Sequence, residues 1–120
     1  MRTVIVGGPR AGKTTLADRL GGTVIHTDDA VADDWSQRSA MLSHTLGTPG
    51  DWTMEGCAAV RALRKALAAR PHEKPCDHVM WLTPKIPLTP KQEAFRKGCE
   101  TVFRAVEPHL VRLGVLIDRA

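Results

Sequence analysis

No apolar run in this sequence approaches the roughly 18 residues that a helical membrane span needs, so no membrane-spanning helix is expected. Cysteine is sparse. Cys57, Cys76 and Cys99 form an odd, irregularly spaced set, which argues against a disulfide framework and for free thiols in a reducing cytoplasm. There is no internal repeat, no low-complexity tract and no linker-like stretch, which leaves a single folded unit over residues 1–120 as the expectation. Only Arg2 precedes the first apolar run, and that run leads into glycines rather than a small-residue cleavage site. It does not read as a signal peptide.

What is present is the composition of a globular domain. The chain has 120 residues, 42% of them hydrophobic and 25% charged, enough to build one real core. The formal net charge is +4. A modest basic excess is compatible with an anionic partner such as a nucleotide or a nucleic acid, and equally with none.

Strand-like and helix-like pieces alternate along the chain. Short apolar or β-branched runs at Thr3–Val6, Thr23–Thr27, Trp52–Glu55, His78–Leu82 and Val115–Ile117 predict five strands. Between them, helices are expected over Lys13–Leu20, Asp34–Leu46, Gly56–Ala69 and from Pro90 onward. Thr89, Pro90 and Gln92 have the spacing of an N-cap, a first-turn proline and a capping-box partner. Phe95, Cys99, Val102, Phe103 and Val106 share one face of that last helix, and Pro108 is expected to kink it or to start a new turn. Strands separated by helices predict a parallel sheet with helices on both faces.

The first turn carries the chemistry. Residues 7–14 read GGPRAGKT, matching G-x-x-x-x-G-K-[ST] at every fixed position, directly after a predicted strand and directly before a predicted helix. Glycines let the main chain close around phosphate oxygens with no Cβ in the way. The loop and helix amides of Gly8, Pro9 (which lacks an N–H and only shapes the turn), Arg10, Ala11, Gly12, Lys13, Thr14 and Thr15 line such a cradle, where the helix terminus adds partial positive charge. Lys13 supplies a point charge for the β- and γ-phosphates, and the Thr14 hydroxyl a ligand for Mg²⁺. ATP with Mg²⁺ is therefore the expected nucleotide.

Acids follow at the ends of the next two strands. Asp28 and Asp29 close "IHTDD". In an open parallel sheet of order 2-3-1-4-5, Asp28 would come near the γ-phosphate and could accept a proton from an attacking hydroxyl; the plainer reading is that the pair caps the following helix. Glu55 closes "WTME" and stands open between a Mg²⁺ contact, a substrate contact and a helix-terminal acid.

The combination of strand, GxxxxGKT, helix, strand and "TDD" resembles the P-loop kinases of the adenylate-kinase-like group. In motif it is most similar to the 5′-hydroxyl polynucleotide kinases and to small phage-type DNA and nucleoside kinases. The resemblance implies a three-layer P-loop fold with a five-stranded parallel sheet, with Asp28 as general base. "EG" before "ALRKAL" also recurs among small-molecule and nucleoside kinases of that group. Two departures stand out. Val31 occupies the place of an arginine that polynucleotide kinases carry. The closing lid is much reduced, to a segment offering Lys85, Lys91, Arg96 and Lys97, of which only Arg96 can clamp a phosphate in bidentate fashion.

The remaining candidates each have a plain alternative. Trp35 and Trp52 either stack on an acceptor base or pack at the rim of the core. Arg38, Arg61 and Arg64 either bind substrate phosphate or form a solvated face. His72, Cys76 and His78 could ligate zinc but have no evident fourth ligand, and His26 reads as a core or site-edge histidine. The expected activity is phosphoryl transfer from ATP to a hydroxyl of a nucleic-acid or nucleoside-type acceptor, including a modified base in phage DNA, by a monomer or small homo-oligomer. A small-metabolite or mononucleotide kinase is the second expectation. A nucleotide-binding switch is the third, disfavoured because no N-K-x-D motif is present.

Overall fold

The computed structural model describes residues 1–7, 12–20, 22–27, 42–56, 58–84 and 86–119. Its elements are β1 (Arg2–Gly7), α1 (Lys13–Leu20), β2 (Thr23–His26), β3 (Trp52–Glu55), α2 (Ala58–Ala69), β4 (His78–Leu82), α3 (Pro90–Arg112) and β5 (Leu116–Arg119). The strands form one five-stranded sheet in the order β2-β3-β1-β4-β5, and every neighbouring pair is parallel. β1 is thus central. The chain passes from it to β2 and β3 on one side, then crosses to β4 and β5 on the other.

Alternation along the strands divides the core. Val4 and Val6 of β1, Met54 of β3, and Val79 and Trp81 of β4 join one apolar cluster with Leu63 and Leu67 of α2 and Phe103, Val106 and Leu110 of α3. Ile5 and Leu82 belong to a second, smaller cluster with Ala17 of α1. α2 and α3 therefore cover one face of the sheet and α1 the other. The Trp81 and Phe103 rings lie 5.2 Å apart and tilted by 33°, a favourable aromatic geometry that fixes α3 on β4. No helix among the described residues is long and apolar enough to cross a membrane.

Several boundaries shift by one or two residues from the sequence expectation: β1 spans Arg2–Gly7, β2 ends at His26 and β5 runs to Arg119, and two element starts move for local reasons. α2 starts at Ala58 rather than Gly56, because Gly56 has φ +126° and cannot be helical. α3 continues through Pro108 to Arg112: the lost hydrogen bond is tolerated because Phe103, Val106 and Leu110 are buried on either side of it. β5 starts at Leu116 rather than Val115. Gly114 donates to the Val111 carbonyl and Val115 to the Leu110 carbonyl, the two bonds of a Schellman termination with Gly114 at φ +87°. Val115 is spent on closing the helix. The capping box of Thr89 and Gln92 forms as expected. Of the helix expected over 34–46, residues 42–45 are helical and the preceding part lies outside the described residues.

Candidate functional site

The carboxyl edge of the sheet gathers the chemistry. β1 ends at Gly7, where a Cβ would sit 2.5 Å from the Leu82 carbonyl oxygen. Only glycine allows β1 and β4 to run this close at the point where the loop leaves the sheet. Gly12 has φ +83°, which a side-chain-bearing residue would resist, and its carbonyl accepts from the Leu16 amide at 3.0 Å. α1 begins at once with Lys13. The first amides of α1 have no intrahelical acceptor and point toward the loop. Lys13 is half-buried and Thr15 exposed. Gly8, Pro9, Arg10 and Ala11 lie outside the described residues, as does the side chain of Thr14.

The second and third strands end beside this turn. In register, His26 pairs with Glu55 and Glu55 with Ile5, so the end of β2 lies two strand spacings, about 10 Å, from β1. Glu55 is buried at 4% exposure. Its Oε1 accepts a hydrogen bond from His26 Nδ1 at 2.8 Å, and His26 Nε2 is 3.8 Å from Asp18 of α1. Of the alternatives for Glu55, direct contact with a bulky acceptor fits poorly with this burial. One of its oxygens remains for a metal or a water. Asp28 and Asp29 follow Thr27 directly, and they lie outside the described residues together with Trp35 and Arg38.

Thr27 was not singled out by the sequence, yet it is the residue with an unmet need here. It is fully buried, and its Oγ1 has no hydrogen-bond partner among the described residues. A Cβ on Gly56 would lie 2.0 Å from that oxygen. Nothing in a Thr between a strand and two aspartates signals this; it arises from β2 and β3 closing on each other.

Other candidates separate from the site or change role. Arg96 is tied at both ends within its own helix: its Nη2 meets Glu93 Oε1 and its Nη1 meets Glu100 Oε2, each at 2.6 Å. These bonds hold the Glu93 and Glu100 carboxyls below their ordinary range and raise the guanidinium further still. The expected lid cation is a helix staple, and two ion pairs must break before it could reach a phosphate. Trp52 is buried with its indole N–H on the Thr48 carbonyl at 3.1 Å, so it packs rather than stacks on a base. The zinc alternative does not assemble. Cys76 is wholly buried, its thiol pushed up to about 12 by burial, and His78 is bound to Asp118 at 2.6 Å. Among the described residues no three such side chains group as a metal site.

Arg61 and Arg64 project from α2 into solvent. Neither has a hydrogen-bond or ion-pair partner among the described residues. Arg61 stands at the rim of a 340 Å³ groove between α2 and α3. The site belongs to an α/β protein with an all-parallel five-stranded sheet, in which Gly7 ends the central strand and Gly12 stands directly before α1. No family model, no curated protein and no solved structure matches the chain.

Proposed function

We propose that the protein is a P-loop kinase with a three-layer fold and a much reduced lid, which transfers the γ-phosphoryl group of ATP to a hydroxyl of a nucleic-acid or nucleoside-type acceptor. One observation carries the reading. The sequence GxxxxGKT lies between the carboxyl end of the central strand and the first turn of α1, with Gly7 and Gly12 both in places that demand glycine. That is the position at which an open parallel sheet binds phosphate.

The residues fit ATP and Mg²⁺. Amides of the turn and of Lys13, Thr14 and Thr15 would grip the phosphates, and Lys13 would carry the charge that develops on the moving group. The Thr14 hydroxyl and the Glu55 carboxylate are hard oxygen donors of the kind Mg²⁺ takes. When bound there, Mg²⁺ would neutralise charge on the β- and γ-phosphate oxygens. His26 keeps Glu55 oriented from behind. Asp28 takes the proton of the acceptor hydroxyl. The freed oxygen forms a bond to the γ-phosphorus while the bond to the bridging oxygen breaks, and ADP leaves.

The test is transfer of label from γ-labelled ATP to oligonucleotides, modified-base DNA, nucleosides and sugars. Asp28→Asn should lower turnover by roughly 10²–10⁴ with ATP binding kept, and Lys13→Ala should remove ATP binding itself. Slow release of free phosphate with label on no acceptor would sink the kinase reading, and full activity in Asp28→Asn would sink the base.

A further inference from the structure

The groove between α2 and α3 says what kind of acceptor suits this site. Both helices follow strands of one parallel sheet, so both start at its carboxyl edge. Their far ends are tied together where His109 Nε2 donates to the Pro71 carbonyl at 2.7 Å. From that tie α3 runs 19 residues back to Pro90 and the chain 13 residues back to Ala58; at 1.5 Å per residue α3 is longer on the side of the carboxyl edge by roughly 9 Å.

The groove lies between the first turn of α2 and the first half of α3, toward that edge. Its volume is 340 Å³, within the range of roughly 300–1,000 Å³ for small-ligand sites. Val60, Phe95, Gly98, Cys99 and Val102 form its walls, and Arg61 stands at its rim. Phe95 is 45% exposed, unusual for a side chain of that size. A Cβ on Gly98 would meet nothing within 4 Å, so the helix leaves open space there.

The charge around the groove is one-sided. Arg96 and Arg104 on α3 are neutralised by Glu93 and Glu100. α2 carries Arg61, Arg64 and Lys65 and not one acid. Arg61 and Arg64 sit one turn apart on its solvent side, both without a partner among the described residues. An apolar slot with an aromatic wall suits a planar ring. Two guanidiniums one helical turn apart, neither paired among the described residues, suit successive anions, each able to take a phosphate in bidentate fashion.

We infer that this groove holds one nucleotide of a single-stranded nucleic acid, with the base against Phe95 and the flanking phosphodiesters on Arg61 and Arg64. The inference rests on the kinase reading and narrows its acceptor to a strand. A free nucleoside brings no phosphate for either arginine, and an acidic peptide brings no flat ring for the slot.

Binding of a fluorescent ten-residue oligothymidylate, followed by anisotropy without ATP across a salt series, tests this. The Arg61→Gln/Arg64→Gln double variant should bind at least about tenfold more weakly, with the slope of log affinity on log salt smaller by roughly 1.4 for two single-strand contacts. Gly98→Leu puts a better helix former into open space and fills the groove. It should weaken binding with the salt slope unchanged, and circular dichroism should confirm that all variants are folded. Wild-type affinity and slope in the double variant would overturn the inference, as would wild-type binding by Gly98→Leu or equal competition by a poly-glutamate peptide. ATP binding measured on the same samples separates the two claims. Loss of ATP binding with oligonucleotide binding intact removes the kinase and leaves the groove; the reverse removes the groove alone.

Discussion

Thr27→Val should make this protein more stable, against the usual direction of a core substitution. Thr27 is wholly buried at the end of β2, and its hydroxyl has no partner among the described residues. A buried hydroxyl left unbonded costs roughly 1–3 kcal/mol relative to its hydrated state. Valine has nearly the same shape and no such debt. The gain is trimmed by contact, because the hydroxyl faces Gly56 so closely that a Cβ there would lie 2.0 Å away, and a methyl is bulkier than an oxygen. The net expectation is a stabilisation of about 1 kcal/mol, which for a domain of this size raises Tm by roughly 3–5 °C. Calorimetry or urea unfolding followed by circular dichroism reads this directly, with Thr27→Ser as control. Serine keeps the orphan oxygen and loses the buried methyl, so it should be destabilising by about 1 kcal/mol. A lower Tm for Thr27→Val than for the wild type would mean that the oxygen is bonded in the folded protein, and the reasoning would fail.

Two further expectations follow from backbone and charge. Gly56→Ala places a Cβ on the Thr27 hydroxyl and holds alanine at φ +126°; it should cost about 2–4 kcal/mol. Part of that loss should return in the double variant with Thr27→Ala, and strictly additive unfolding energies would contradict the clash. At the other edge, Arg2 donates to Asp77 from both its backbone amide and its guanidinium and holds the carboxyl down to about 2, from an ordinary 3.8. A lowered folded-state pKa gives stability that is complete above the unfolded value and lost as pH falls through the folded one, here between about pH 4 and 2. The Asp77 side chain is 35% exposed, so solvent screening limits the contribution to roughly 1 kcal/mol. Urea midpoints across that window should fall less steeply in Asp77→Asn than in the wild type, and equal slopes would refute the assignment.

Local rules carried much of this protein. The alternation of β-rich runs and helical periods and the Thr89–Pro90–Gln92 cap act over a few residues, so the chain alone announced the five strands and the helices α1, α2 and α3. Arg61 and Arg64 stood out in the sequence because a spacing of three puts both on one helix face. What needed the third dimension was every relation between elements. The Arg96 staple depends on which rotamers meet Glu93 and Glu100 along one turn. The His26–Glu55 bond depends on the register of β2 against β3, and register is set by how two distant segments pack, not by either segment. The start of β5 was misplaced because Val115 serves the end of α3. The groove exists only because α2 and α3, far apart in sequence, are laid side by side on one sheet. Short-range sterics and hydrogen bonding write themselves into sequence; close approach between remote backbones does not, and that approach decides which side chains share a site.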